Sequence, residues 1–159
     1  MEEADRAYER ALYFLEKRDR TEKEVLDKLS GAGYSEEAAG AALERLRDAG
    51  LVNDADYAAR YLEALTAKGR GRLRIAAEMR RKGLPDGLVR NTLEDGLSTE
   101  RELEMAVEAA RRITAGLPEE EDKRKASAKL NRRLVSQGFS YETIGRAMRE
   151  IRIERDYES

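Results

Sequence analysis

Apolar residues recur along this chain at intervals of three and four. Neither a strict apolar–polar alternation nor a Val/Ile/Thr-rich run marks a strand. The spacing predicts helices nearly throughout. Tyr8, Leu12 and Leu15 share one face of a first helix. Thr21 stands three residues before Glu24, the spacing of a capping box, and opens a second helix with Val25, Leu26 and Leu29 that stops over 31–33. Ser35 caps a third, with Ala39, Leu43 and Leu46 inward and Gly50 at its end. Asn53 or Asp54 starts a fourth, with Tyr57 or Ala58, Tyr61 and Leu65 inward, and Gly69-Arg70-Gly71 breaks it. A fifth helix holds Ile75 and Met79 and ends at Gly83. Pro85 suits the first turn of a sixth, with Val89 and Leu93. Thr99 caps a seventh running to about Ala115. Gly116-Leu117-Pro118 is the clearest linker, and the eighth and ninth helices divide at Gly138.

Aligning Gly33, Gly83 and Gly138 aligns their neighbours as well. Eight residues earlier stand Val25, Ile75 and Leu130, and four earlier Leu29, Met79 and Leu134. Tyr34, Leu84 and Phe139 follow the glycine, then Ser35, Pro85 and Ser140, all helix starters. Ala39, Val89 and Ile144 stand six residues after it, and Leu43, Leu93 and Met148 ten after. The glycine belongs just past a helix end, where a left-handed backbone is cheap only without a Cβ. The next residue folds back as an apolar clamp. The expected fold is therefore all-α: three tandem three-helix repeats, helix-turn-helix-like units over 1–50, 51–97 and 98–159, forming an elongated chain.

Composition sharpens this reading. With 159 residues, no Cys, no His, no Trp and only two Phe, the chain suits several thin helical modules better than one thick core. Disulfides, thiolate catalysis and the commonest metal ligands and general base are excluded, so an enzyme is disfavoured and no cofactor or metal is expected. No apolar run is long enough to span a membrane, and the acidic start lacks a signal-peptide core, so the expected location is the cytoplasm. Three local features carry less. Gly69-Arg70-Gly71 follows no strand and precedes no Gly-Lys-Ser/Thr, so it reads as setting a helix entry angle, although a helix start beside Arg70 and Arg72 suits an anion. The run Glu119-Glu120-Glu121-Asp122 lacks calcium-loop spacing and reads as acid at a helix start. Tyr57 and Tyr61 read as core-edge packing.

The net charge of −2 hides an uneven distribution. The first repeat is acidic and the second is the only one with a positive balance. Lys68, Arg70, Arg72, Arg74, Arg80, Arg81 and Lys82 face the single carboxylate of Glu78. Ile75 and Met79 fix the buried side of that helix, which turns Arg70, Arg74 and Arg81 roughly away from it. Lys125, Lys129, Arg132 and Arg133 make a second stripe on the eighth helix, away from Leu130 and Leu134. Two basic stripes on corresponding helices suit a binder that tracks a polyanion; charged faces are also what any helix in so charged a chain presents to water.

The segment from Gly50 to Ala58, followed by that from Lys68 to Leu84, resembles the central signature of the RecX regulatory proteins. Ala11 to Arg47 resembles the family's first repeat, and Lys125 to Met148 its last. The chain departs from the pattern at Asn53, where paired Asp is frequent, and at Arg72, where Pro is frequent. It also carries no strongly basic N-terminal extension. The resemblance implies three tandem three-helix units, no enzymatic activity, and a modulator of the RecA recombinase. Such a protein binds in the groove of the RecA–DNA filament and restrains ATP hydrolysis, strand exchange and co-protease activity. The expected partners are the RecA filament and the DNA within it, with weak binding to bare DNA and a monomeric chain. A stand-alone helix-turn-helix DNA binder is the alternative.

Overall fold

Most of the helices begin where a short polar side chain or a carboxylate answers the unbonded N–H groups of the first turn. The computed structural model describes residues 2–158, and among these are nine α-helices and no strand. They are α1 (Glu3–Leu15), α2 (Glu22–Gly31), α3 (Glu36–Asp48), α4 (Asp54–Ala67), α5 (Arg72–Arg81), α6 (Asp86–Gly96), α7 (Thr99–Ala115), α8 (Lys123–Ser136) and α9 (Tyr141–Glu158). Thr21 and Glu24 form the capping box expected at α2, and Ser35 caps α3. Asn53 accepts from the Asp56 amide at the head of α4. Two starts shift by one residue: Ser98, not Thr99, caps α7, and Pro85 precedes the first residue of α6. Ser98 wins because its hydroxyl lies 3.1 Å from the Arg101 amide, whereas Thr99 already has helical backbone.

The three aligned glycines all adopt the left-handed backbone, with φ of +91° at Gly33, +88° at Gly83 and +100° at Gly138. In each turn the next residue's N–H reaches back five residues: Tyr34 to Leu29 (3.1 Å), Leu84 to Met79 (3.2 Å) and Phe139 to Leu134 (3.2 Å). Leu84 and Phe139 are buried as clamps; Tyr34 is half-buried. The other aligned apolar positions are buried in every copy except Met148, which is half-buried.

The chain divides into two compact units, residues 1–61 with 79–89 and residues 62–78 with 90–159. In the first, α1 and α2 pack on α3 around Val25, Leu29, Ala42, Leu43 and Leu46. The inward face of α1 is centred on Ala7 and Ala11; Tyr8, Leu12 and Leu15 flank it half-buried. Two alanines let the helix axes approach closely, and the larger residues then close the edges. In the second unit, α7, α8 and α9 close around Ala106, Ala110, Leu130, Leu134, Phe139, Ile144 and Ala147. Within α4 the buried apolar positions are Ala58, Leu62 and Leu65, while Tyr57 and Tyr61 sit half-buried with ring centroids 5.7 Å apart. Helix α8 starts one turn earlier than α2 or α5 relative to its turn glycine, so the Ala126 N–H already donates to the Asp122 carbonyl at 2.9 Å.

Candidate polyanion-binding surface and the junctions beneath it

Each unit contains one junction in which a middle helix docks its N-terminus on the glycine turn of the following module. In the first unit, Thr21 is fully buried and its hydroxyl donates to the Lys82 carbonyl at 2.6 Å. The neighbouring Glu22 N–H donates to Asp54 Oδ1 at 2.9 Å. In the second unit, Gly71 occupies the position equivalent to Thr21, twelve residues before a turn glycine. Its N–H donates to the Gln137 carbonyl at 2.8 Å, and the Arg72 N–H donates to Glu102 Oε2 at 2.6 Å. The pattern is the same both times. The N-cap residue bonds the carbonyl just before the turn glycine, and the next N–H bonds a carboxylate from the leading helix of the later module. Tertiary contacts thereby satisfy one orphan N–H of the helix start at the first junction, where the N-cap donor is a hydroxyl, and two at the second.

These contacts allow no extra atoms. A Cβ on Gly71 would lie 2.6 Å from the Gly138 carbonyl carbon and oxygen, and one on Gly138 would lie 2.6 Å from the Arg74 amide nitrogen. Glu102 is only 5 % exposed, accepts from Arg72, and receives a 3.4 Å bond from Thr143 Oγ1 of α9. In the first unit the Arg47 guanidinium grips Glu22 at 2.5 and 2.9 Å and holds that carboxyl below the ordinary carboxylate range. Burial pushes the Asp54 carboxyl up instead.

The eleven cations singled out in the sequence have different fates. Arg72 is turned inward: its guanidinium donates to the Leu97 carbonyl and stands 3.9 Å from Glu102. Arg74 bridges Glu78 (3.2 Å) and the Ser136 carbonyl (3.3 Å). Arg80 pairs with Asp86 at 3.0 Å, and Lys129 pairs with Glu121. Lys68, Arg81, Lys125, Arg132 and Arg133 are exposed, and Arg70 and Lys82 are half-exposed. No carboxylate among the described residues lies within ion-pair distance of any of these seven side chains. In the second unit the α5–α8 junction brings the two basic segments together. Arg74 reaches Ser136, which continues the α8 row of Lys125, Lys129 and Arg132 at helical spacing, and Arg70 precedes Gly71 at the same contact.

Glu102, Asp54 and Gly71 escaped the sequence reading as functional positions. Glu102 and Asp54 look like ordinary first-turn acids. Gly71 carried a usable signal, since it shares the register of Thr21. The acid run behaves as expected at the start of α8, where Asp122 caps the helix by accepting from the Arg124 amide at 3.0 Å. Among the described residues no group of three or more acids is arranged to hold a metal ion, and no helix is long and apolar enough to cross a membrane.

Fold and surface together define a tandem three-helix protein, built by docking helix starts on glycine turns and presenting cations on its middle helices. The comparisons narrow the class. The descriptions "RecX, first three-helix domain" and "RecX, second three-helix domain" match residues 7–46 and 53–93. The regulatory protein RecX of Caldanaerobacter subterraneus subsp. tengcongensis is 31 % identical over 146 residues, covering 92 % of this chain and 71 % of that protein. That of Clostridium perfringens (strain 13 / Type A) is 34 % identical over 143 residues, and there the chain spans 66 % of the relative's length. The crystal structure of RecX from Lactobacillus salivarius superposes with a TM-score of 0.85 at 26 % identity, covering 95 % of this chain and 97 % of that one. This chain belongs to the RecX family of regulatory proteins.

Proposed function

We propose that the chain is a non-enzymatic, monomeric, cytoplasmic regulator that lies in the groove of the RecA–DNA filament. There it restrains ATP hydrolysis, strand exchange and co-protease activity. The observation that carries this reading is the set of exposed cations on the second unit. Lys125, Arg132 and Arg133 lack a carboxylate partner among the described residues, and the α5–α8 junction joins their helix to Lys68 and Arg70. Cations already paired inside a protein gain little from a new anion; these remain available for phosphates. The overall charge of −2 fits weak binding to bare DNA, with the filament's protein supplying the rest of the contact.

The test is the triple variant Lys125→Glu, Arg132→Glu, Arg133→Glu, which leaves the Arg72 and Arg74 contacts intact. The native chain co-sediments with RecA filaments and lowers their DNA-dependent ATPase; the variant does both at least about tenfold less well. The salt slope of filament binding falls by about two to three, the share of three phosphate contacts. Undiminished inhibition by a variant with native helicity and unfolding midpoint refutes the site. Tight duplex binding by the native chain at physiological salt without RecA favours a stand-alone DNA binder instead.

A further inference from the structure

The two junctions share a pair of hydrogen bonds but differ in what they show to solvent. At the second, three exposed large apolar residues belong to the Gly138 turn or bond to it: Leu73 at 58 % exposure, Val135 at 41 % and Tyr141 at 78 %. Leu73 donates its N–H to the Gly138 carbonyl at 3.0 Å, and the Gly138 N–H donates to the Val135 carbonyl at 2.9 Å. Tyr141 opens α9 three residues further on. The equivalent positions at the first junction, counted from Gly33 and Gly83, are Lys23, Arg80 and Asp86. All three are exposed and charged, and Arg80 and Asp86 pair with each other at 3.0 Å. At the first junction the Lys23 methylenes lie against Gly83, but Arg80 and Asp86 show that the other two places need no apolar residue, and at the second junction it is Arg74, not Leu73, that lies against the turn glycine. Junction packing therefore does not account for Leu73, Val135 and Tyr141, which together put three of the five exposed large apolar side chains of the described residues around one turn.

We propose that this turn is a docking surface for a protein segment with an apolar anchor flanked by carboxylates. The apolar group supplies the anchor's contact, as at the centre of protein interfaces. The charge around it selects the flanks. Arg132 and Arg133 lie within three residues of Val135, Arg70 adjoins Gly71, and no carboxylate among the described residues answers any of them. A nucleic acid fits less well. A tyrosine stacks on bases, but Leu73 and Val135 are aliphatic and offer neither a stacking face nor a phosphate donor. The inference rests on the proposed filament reading only in that a RecA filament would supply one such segment; the surface itself is defined by the chemistry of the chain.

The test uses the full-length chain labelled at Leu and Val methyls. One probe is a synthetic peptide of about fifteen residues with Phe and Leu between Asp and Glu. The others are its Lys-flanked counterpart and a single-stranded oligonucleotide of mixed sequence. Binding of the acidic peptide shifts the Leu73 and Val135 methyls and quenches tyrosine fluorescence. The Lys-flanked peptide binds at least about tenfold more weakly, and so does the acidic peptide to the Leu73→Gln, Val135→Gln, Tyr141→Gln variant. These positions are exposed, so the variant keeps the native unfolding midpoint. Stronger shifts with the oligonucleotide than with the acidic peptide overturn the proposal in favour of a base-stacking platform. Absence of shifts with every probe, together with native-like filament co-sedimentation by the variant, overturns it outright. If instead the native chain ignores RecA filaments while the acidic peptide still binds this turn, the filament reading fails and the docking surface stands.

Discussion

Replacing Gly138 with alanine probes the second junction against a control inside the same chain. Gly33 and Gly138 have nearly the same backbone, with φ of +91° and +100°, so a Cβ at either introduces similar local strain. That strain is about 1–2 kcal/mol. Their surroundings differ. A Cβ on Gly33 meets nothing within 4 Å, whereas one on Gly138 would lie 2.6 Å from the Arg74 amide nitrogen and 3.0 Å from its Cα. Backbone cannot swing aside as a side-chain tip can, so the start of α5 must lift from the turn. The bonds from Gly71 to Gln137 and from Leu73 to Gly138 go with it, at about 0.5–1.5 kcal/mol net each. Gly33→Ala is therefore expected to cost about 1–2 kcal/mol and Gly138→Ala about 2–5. Gly83→Ala falls between them, because its Cβ would press at 2.5 Å on Lys23 side-chain carbons, which yield more readily than backbone. Urea unfolding gives the ranking. Amide hydrogen exchange at Gly71 and Leu73 locates the cause, since both amides lose protection in Gly138→Ala alone. Equal costs at Gly33 and Gly138, or full protection of those two amides in the Gly138 variant, would refute the close-approach argument.

Glu102→Gln keeps an acceptor for the Arg72 N–H and loses a 3.9 Å charge contact and the long 3.4 Å acceptor for Thr143 Oγ1, so its cost is about 1 kcal/mol; Glu102→Leu strands the Arg72 donor and costs about 2–4. Paired urea titrations separate the two. At the first junction the carboxylates pull in opposite directions with pH. Glu22 is depressed by Arg47, so its contribution is complete above the ordinary glutamate range and is lost as pH falls through its lowered folded value; Glu22→Gln flattens the acid limb of the stability profile. Asp54 is raised by burial, so its neutral form favours the fold below the ordinary aspartate range, and this advantage fades as pH rises through its folded value. Asp54→Asn retains an acceptor for the Glu22 N–H and is expected to leave stability at pH 7 unchanged or higher, read from unfolding midpoints between about pH 3.5 and 7.5.

The repeat was legible because its signals are local. A turn glycine, the clamp after it and the helix starter after that lie within three residues, and their register fixes which apolar positions are buried. The face of α1 was harder to read. Side-chain size favours Tyr8, Leu12 and Leu15, but close helix packing selects the small Ala7 and Ala11 for the centre. The junctions were least legible. Glu102 meets Arg72 and Thr143 across 30 and 41 residues of chain, and nothing in its own neighbourhood marks it as buried. Charge counting likewise grouped Arg72 with Arg70. Only the three-dimensional contact shows that one turns into the protein and the other does not.

The extra turn at the head of α8 limits how far this building scheme extends. At both junctions the donor comes from a helix start, Thr21 or Gly71, but the matching residue of the third module is Ala126, already inside its helix and bonded to Asp122. A second copy offering its exposed Gly33 turn to that helix meets no waiting donor at the equivalent place. Head-to-tail addition of a further module, the hazard of any surface that fits its own successor, would therefore have to do without the helix-start donor that both internal junctions use.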